Sequence, residues 1–394
     1  MPGESRGGAN RAGRRRVLFL AAQLGPGGVT AHMRDLGAGL RPLGWKVAVA
    51  SRGRVGEHSH GPKWLAAVGI QHFHVPFPIA RLTPASFVSA VSAAVALRQT
   101  VLHFRPHIVH VHWRSVSVFA RGLETVSGIP FVSSMHVEGI PARRVQRMLS
   151  FWGKLAVAVS RETRDHLVLD FGVPVEGVRM VYYGRDEDYF RPPVPEERRE
   201  ARTVIGITGD VPVVALIGSG VRRKGHAVLL DALAALSREG VPALAVFAGD
   251  SSEAETIREM AHARGVADQV IVLGYVESRT VLWAADMFCL PSLREGLPVA
   301  VIEAMLCGVV PIRTPAAGAA DQIVDGENGY VVPFGDATVL ARRLRELIRD
   351  PERRRTMGEA ALRHARTHFT LRRMVAETAA VYEEVLRPKG EGLP

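Results

Sequence analysis

Only two cysteines, Cys289 and Cys307, occur in the chain. Two sulfurs exclude a disulfide framework and the usual zinc spacings, so both read as small apolar core residues and a cytoplasmic location is expected. Aromatic residues are sparse at 6%, which leaves little of the basic and aromatic interleaving that grips nucleic acid, and no nucleic-acid motif appears. No apolar run approaches the roughly 20 residues of a bilayer span. The one targeting candidate is Arg14-Arg15-Arg16 ahead of Val17–Ala22. A glycine loop and a helical pattern follow it directly, so a buried first strand is the better reading than a leader.

What is present fits two domains of about 150–200 residues each, since 394 residues exceed one small core. The hydrophobic share of 47% and charged share of 23% are ordinary for a globular chain. The net charge of +11 is unevenly placed: residues 1–190 hold 24 Lys+Arg against 12 Asp+Glu, and residues 191–394 hold 26 against 27. An excess of this kind attracts nucleic acid, anionic lipid or an anionic acceptor, or marks an Arg-rich genome with no partner at all.

Residues 1–14 form a Gly- and Arg-rich tail without periodicity, expected to be disordered. From there strands are predicted at Arg16–Ala22, Lys46–Ser51, Gln71–Val75, Ile108–Trp113, Phe131–Met135, Leu155–Val159 and Arg179–Tyr182. Helical stretches lie between most of them, the clearest from Thr83 to Leu102. Alternation of this kind means a doubly wound parallel sheet, whose ligands gather at the carboxyl ends of the strands. Prolines 192, 193 and 195 and a charged run mark 191–212 as a linker. A second set of strands follows at Val213–Ile217, Ala243–Ala248, Val270–Leu273, Met287–Leu290 and Val310–Arg313. The expected division is thus 15–190, a linker, 213–370, and a last helix in 371–394.

The chain is organised around Cys289–Gly308. A short strand empties into Pro291-Ser292-Leu293-Arg294, Glu295-Gly296-Leu297 follows, and Pro298 stands where a first helical residue belongs. Gly308 reads as the left-handed residue that ends the helix. The amides of Gly296 and Leu297 then lie at a helix N-terminus, a ready site for phosphate. Glu295 and Glu303 are spaced Glu-x7-Glu. Either they are solvated carboxylates, or they accept hydrogen bonds from hydroxyls of a ligand whose phosphates sit between them.

The second candidate is Gly218-Ser219-Gly220-Val221-Arg222-Arg223-Lys224-Gly225, a glycine-rich turn after a strand with cations at a helix start. Backbone amides and charge together can cradle phosphate there, although the spacing is neither a Walker A sequence nor a dinucleotide fingerprint. A helix is expected to continue from this turn to Leu236.

The segment Pro291-Ser292, Glu295-Gly296-Leu297-Pro298, Glu303-Ala304-Met305, Gly308, Pro311 and Asp325-Gly326-Glu327-Asn328-Gly329 resembles the retaining glycosyltransferases of family 4. The resemblance runs from about residue 15 to 385. It implies the GT-B fold: two Rossmann-like doubly wound domains, an acceptor domain first and a nucleotide-sugar domain second, with the last helix crossing back onto the first. It implies that Glu295 contacts donor-sugar hydroxyls, that Glu303 holds the ribose, and that the loop Gly27-Gly28 leans over the donor diphosphate. The backbone near Gly274-Tyr275-Val276 would hold the base. His136, at a strand end, matches the family's donor-sugar histidine. Gly218 and Lys224 match the diphosphate loop, but Ser219 stands where the family has Arg, and Arg223 is the candidate to replace it.

The activity so implied is transfer of a hexose or N-acetylhexosamine from a nucleoside-diphosphate sugar, with UDP the expected base, to an acceptor hydroxyl. Lys224 and Arg223 would act on the leaving diphosphate, Glu295 and His136 on the sugar, and no metal cofactor is expected. The acceptor classes are a glycan, a lipid-linked glycan or a small natural product, with loops 58–62 and 76–86 choosing among them. Residues Gly139–Phe151 read either as a basic amphipathic helix lying on the inner face of a membrane or as a helix with Phe151 and Trp152 packed inward. His110 and His112 imitate a metal pair without a third ligand, and Asp186-Glu187-Asp188 imitates a metal site without the strand it needs. Two rivals are a nucleotide-sugar epimerase on the same architecture and a basic nucleic-acid or membrane-binding protein without catalysis.

Overall fold

A computed structural model describes residues 15–25, 27–53, 61–78 and 84–388. The expected tail 1–14 and much of the two expected acceptor loops lie outside the described residues.

Seven strands form the first sheet: β1 (Arg16–Leu20), β2 (Lys46–Ser51), β3 (Gln71–His74), β4 (Ile108–Val111), β5 (Phe131–Met135), β6 (Leu155–Ala158) and β7 (Val178–Met180). Their order is β3-β2-β1-β4-β5-β6-β7, and every pairing is parallel. Six form the second: β8 (Val213–Ile217), β9 (Leu244–Ala248), β10 (Val270–Leu273), β11 (Met287–Leu290), β12 (Val310–Arg313) and β13 (Tyr330–Val331), in the order β10-β9-β8-β11-β12-β13. Valine, leucine, isoleucine, phenylalanine and alanine fill most of β1, β4 and β8 because helices cover both faces of each sheet, and the one polar residue within β4, His110, is buried with hydrogen-bond partners. The two-residue β13 is missed by the sequence reading, since two residues carry no period.

The strand order reverses between β1 and β4 and again between β8 and β11, and crevices open at such switch points. The segments leaving these four strands carry Gly27-Gly28, His112, Gly218 and Glu295. Topology alone therefore brings the expected ligand-binding residues to facing edges of two sheets.

Two further elements tie the halves together. The segment between the sheets is not bare linker but contains helix Pro195–Ile205, with Pro195 at its first turn. Arg198 on it donates to the carbonyls of Trp283 at 3.2 Å and Ala285 at 2.9 Å and pairs with Asp286, so this helix is docked on the second half. The final helix, Leu371–Leu386, returns to the first half as the GT-B fold requires. The Tyr382 hydroxyl meets His110 Nδ1 at 2.6 Å, and Arg179 beside β6 pairs with Glu384. Gly39, on the helix Gly28–Leu40 of the first half, lets the final helix pack closely: a Cβ there would stand 2.4 Å from Val375 Cγ2.

The basic segment keeps one part of the second reading, with Phe151 and Trp152 packed against the core, but not the long helix that both readings of 139–151 expected. Only Arg144–Met148 is helical, Val145, Met148 and Leu149 are exposed, and Trp152 packs edge-on against Phe171. Among the described residues no helix is long and apolar enough to cross a membrane.

Tyr382 is fully buried between the returning helix and the first sheet, against Trp45 and His110. Tyr382→Ala is expected to cost about 3–5 kcal/mol, as for other large aromatic truncations in cores. Urea unfolding followed by circular dichroism measures it, and a loss below about 1 kcal/mol would contradict the role given to this contact.

Candidate functional site

The floor of the cleft is built where β11 and β8 end. After Leu290 the chain turns through Glu295-Gly296-Leu297 into helix Val299–Leu306. Pro298 is not inside that helix but caps it, with φ −65° and ψ 118°, because an N-cap keeps an extended ψ that proline's ring also favours. Gly308 follows with φ 74°, as the sequence implied.

Beside it, Gly218 (φ 150°) and Gly220 (φ 96°) turn the chain from β8 into the short helix Val221–Lys224. The helix expected to run on to Leu236 is broken at Gly225 (φ 76°), and a second one starts at His226. The break has a steric cause: a Cβ at Gly225 would stand 2.1 Å from the carbonyl oxygen of Pro291. The two loops are in backbone contact, and this delivers Lys224 to Glu295, Nζ to Oε1 2.7 Å.

Glu295 is buried and Lys224 partly so, and desolvation lowers the Lys224 pKa while Glu295 opposes the shift. Arg313, fully buried at the end of β12, lies close enough to act on both, and burial pushes its pKa down to about 10. Its guanidinium donates to the carbonyls of Ala316 at 2.7 Å and Ala317 at 2.8 Å and to Gln322, which shapes the loop running to Gly318. Arg223 is exposed at the rim, and its guanidinium donates to the carbonyls of Arg294 and Ser219, at 3.5 and 3.4 Å.

One expectation changes. The amides of Gly220 and Val221, which the glycine-rich turn was expected to offer to phosphate, are taken by the Glu253 carboxylate at 2.7–3.0 Å. A carboxylate satisfies orphan amides at a helix start by the same charge logic as phosphate. In this arrangement the turn presents cations rather than amides.

The first half supplies the roof. Gly27 (φ 124°) opens helix Gly28–Leu40, and a Cβ on Gly28 would lie 3.4 Å from Val299 Cγ2, so this loop leans over the start of the opposing helix. Gly296 lies against His136: a Cβ there would be 2.0 Å from the His136 carbonyl oxygen. The contact continues through Arg294, which donates to the carbonyls of Glu138 and Gly139 at 3.0 and 2.8 Å.

His136 lines the cleft, yet both its ring nitrogens are engaged inward. Nδ1 shares a hydrogen with the Tyr183 hydroxyl at 2.5 Å, and Nε2 faces His112 Nδ1 at 3.2 Å. His32 and His110 complete a cluster of four imidazoles beneath the strand ends. Burial holds them neutral, His110 and His136 with pKa values lowered to about 3. Among the described residues no group of three His, Cys, Asp or Glu side chains could hold a metal ion.

Glu303 is also buried, and its carboxylate is 2.9 Å from Arg185 Nε. Arg185 in turn pairs with Asp35 of the opposing helix and lies over the Phe190 ring. Burial raises the pKa of both carboxyls against the pull of Arg185. Sequence reasoning missed Arg185, Asp35 and Tyr183. The one available signal was Gly184, whose Cβ would meet the Thr370 carbonyl oxygen at 2.1 Å and whose smallness sets the arginine in the cleft.

The ten residues singled out from the sequence, Gly27, Gly28, His136, Gly218, Arg223, Lys224, Glu295, Gly296, Leu297 and Glu303, line one cleft of about 1160 Å³. Tyr275 and Val276 border it as well.

Comparison with known proteins agrees with this geometry. Residues 26–189 match the model described as Glycosyltransferase Family 4, and residues 197–364 match Glycosyl transferases group 1. The chain belongs to the family 4 glycosyltransferases. It is 32% identical to a D-inositol 3-phosphate glycosyltransferase of Xylanimonas cellulosilytica over 59% of this chain and 57% of the relative. It is 31% identical to a GDP-mannose-dependent alpha-(1-6)-phosphatidylinositol monomannoside mannosyltransferase of Mycolicibacterium smegmatis over 56% of this chain and 59% of that one. The chain thus spans a little over half the length of these relatives. Among solved structures, Anabaena HepE in complex with UDP-glucose superposes with a TM-score of 0.81 at 20% identity, over 94% of this chain and 99% of that one. That likeness speaks for the fold.

The neutral imidazoles carry a pH dependence. Unfolded, these histidines titrate near 6.5; folded, His110 and His136 do so near 3. Between those values the unfolded chain binds protons that the fold refuses, so stability is fully present above about pH 6.5 and is lost as pH falls toward 3. Urea midpoints at pH 7 and pH 5 should differ in that direction, and His110→Gln with His136→Gln should flatten the slope. An unchanged slope in the double variant would exclude these two rings as its source.

Proposed function

We propose that this chain transfers a hexose or N-acetylhexosamine from a nucleoside-diphosphate sugar, with UDP as the preferred base, to an acceptor hydroxyl with retention of configuration. The observation that carries the reading is the largely buried Lys224–Glu295 pair at the floor of a cleft roofed by the Gly27-Gly28 loop. A cation and a hydroxyl acceptor side by side suit the junction between a diphosphate and a sugar.

Lys224, with Arg223 at the rim, meets the charge that grows on the departing diphosphate, assisted by the amides of Gly296 and Leu297 at the helix start. Glu295 is released from Lys224 to take sugar hydroxyls, and Glu303 exchanges its contact with Arg185 for the ribose. The bond from the anomeric carbon to the diphosphate breaks as the acceptor oxygen bonds to the same face. The acceptor proton passes to the leaving phosphate oxygen. His136 acts by its backbone position against Gly296 and by the ring that Tyr183 holds in place. The names of the relatives support a nucleotide-sugar donor but differ in sugar and base.

A thermal-shift screen of UDP-, GDP- and dTDP-sugars tests the donor, and stabilisation by none of them would overturn the proposal. With the donor identified, Lys224→Ala is expected to lower kcat roughly a hundredfold or more while changing donor KM far less. Glu303→Ala should do the reverse and raise KM for the intact donor. Equal kinetics for Lys224→Ala and the parent chain would remove Lys224 from the chemistry.

A further inference from the structure

A second cavity, of about 530 Å³, opens at the other end of the first sheet, away from the cleft. Arg16, Arg41, Lys46 and His107 line it together with Trp45 and Gly69, and no carboxylate does among the described residues. The placement follows from topology: Arg16 begins β1, Lys46 begins β2, and His107 immediately precedes β4. His136 and the donor-facing loops leave the opposite, carboxyl ends of the same sheet.

The two guanidinium groups are held by backbone carbonyls. Arg41 donates to the Val68 carbonyl at 2.7 Å, and Arg16 Nε donates to the Arg105 carbonyl at 2.6 Å. His107 Nδ1 accepts the Arg16 amide at 3.0 Å, so a neutral ring carries its proton on Nε2 and offers a donor there. Arg41 lies so close to Gly69 that a Cβ at that glycine would come within 2.5 Å of the guanidinium, and its φ of +71° disfavours any other residue. Lys46 Nζ stands 5.8 Å from the Phe104 ring. Arg15, which lies over the Trp45 ring at 5.9 Å from its centroid, is paired with Glu383. His107 feels the crowding: burial first, then Arg16 and Arg15, lower its pKa.

Like charges gathered without a counter-charge repel one another, and an anion among them removes that cost. Three permanent cations and a ring donor suit an anion with more than one negative charge and several acceptor oxygens. We propose that this cavity is a binding site for a phosphate-bearing anion, separate from the cleft. The shared chemistry is a phosphate monoester or diphosphate, carried either by a free small molecule or by a lipid headgroup.

The test reads Lys46 directly in the full chain, by acetylation of its amine followed by peptide mass spectrometry. Inorganic pyrophosphate should slow Lys46 acetylation several-fold relative to chloride at equal ionic strength. Arg16→Gln and Arg41→Gln, each made separately, should abolish the protection. Arg223→Gln, in the cleft, should leave it intact, which separates this site from donor binding. Protection by phosphatidylcholine vesicles containing phosphatidic acid, but not by phosphatidylcholine alone, identifies a headgroup as the source. Protection by pyrophosphate without any from vesicles identifies a free anion. Equal acetylation in pyrophosphate, phosphatidic acid vesicles and chloride, or protection that survives in both arginine variants, overturns the proposal.

Discussion

The cleft depends on backbone touching backbone where the two halves meet. Gly296 rests on the carbonyl of His136, and Gly318 rests in turn on Gly296, where its own Cβ would come 2.6 Å from the Gly296 carbonyl oxygen. Any side chain at Gly296 would drive the helix start at Val299 away from the Gly27-Gly28 loop and open the cleft between floor and roof. Polar contacts brace this seam. The buried carboxylate of Asp321 accepts the amide of Arg161 at 2.9 Å and the hydroxyl of Tyr182 at 2.8 Å, and Glu162 accepts the amide of Gly318 at 2.9 Å. The seam is thus a set of distances that side-chain volume cannot disturb without moving both sheets.

Around that seam charges largely withdrawn from water stand in pairs. Lys224 with Glu295, and Glu303 with Arg185 and Asp35, satisfy one another in the structure. Taking such charges from water costs several kcal/mol per ion, and removing one partner strands the other. The same accounting sets the second cavity apart, because its two arginines lean on carbonyls and no carboxylate lines it among the described residues.

Much of this was legible in the chain itself. Apolar runs located twelve of the thirteen strands among the described residues because each spans at least three residues and most are buried, the two-residue β13 being too short to carry such a run. Gly308, Gly27 and Gly218 announced left-handed or otherwise restricted turns, and the structure puts them there. Less legible was anything decided by a partner far away in sequence. The break at Gly225 answers to Pro291, the inward engagement of His136 answers to Tyr183 and His112, and the amides of Gly220 answer to Glu253. The charged run of 195–205 read as linker because its own polarity hid the carbonyls and the Asp286 carboxylate that hold its arginines.

By itself the sequence determined two parallel α/β sheets, the turns that leave them, and the residue types able to hold phosphate and hydroxyl groups. These follow from periodicity and backbone freedom, which are properties of neighbours along the chain. Only the tertiary structure decided which charges pair across the cleft, that Arg185 and Asp35 belong to it, and that Arg16, Arg41, Lys46 and His107 converge at the far end of the first sheet. Those outcomes come from electrostatics and steric contact between segments scores to hundreds of residues apart, such as Arg185 and Asp35 at a separation of 150. No local pattern encodes them.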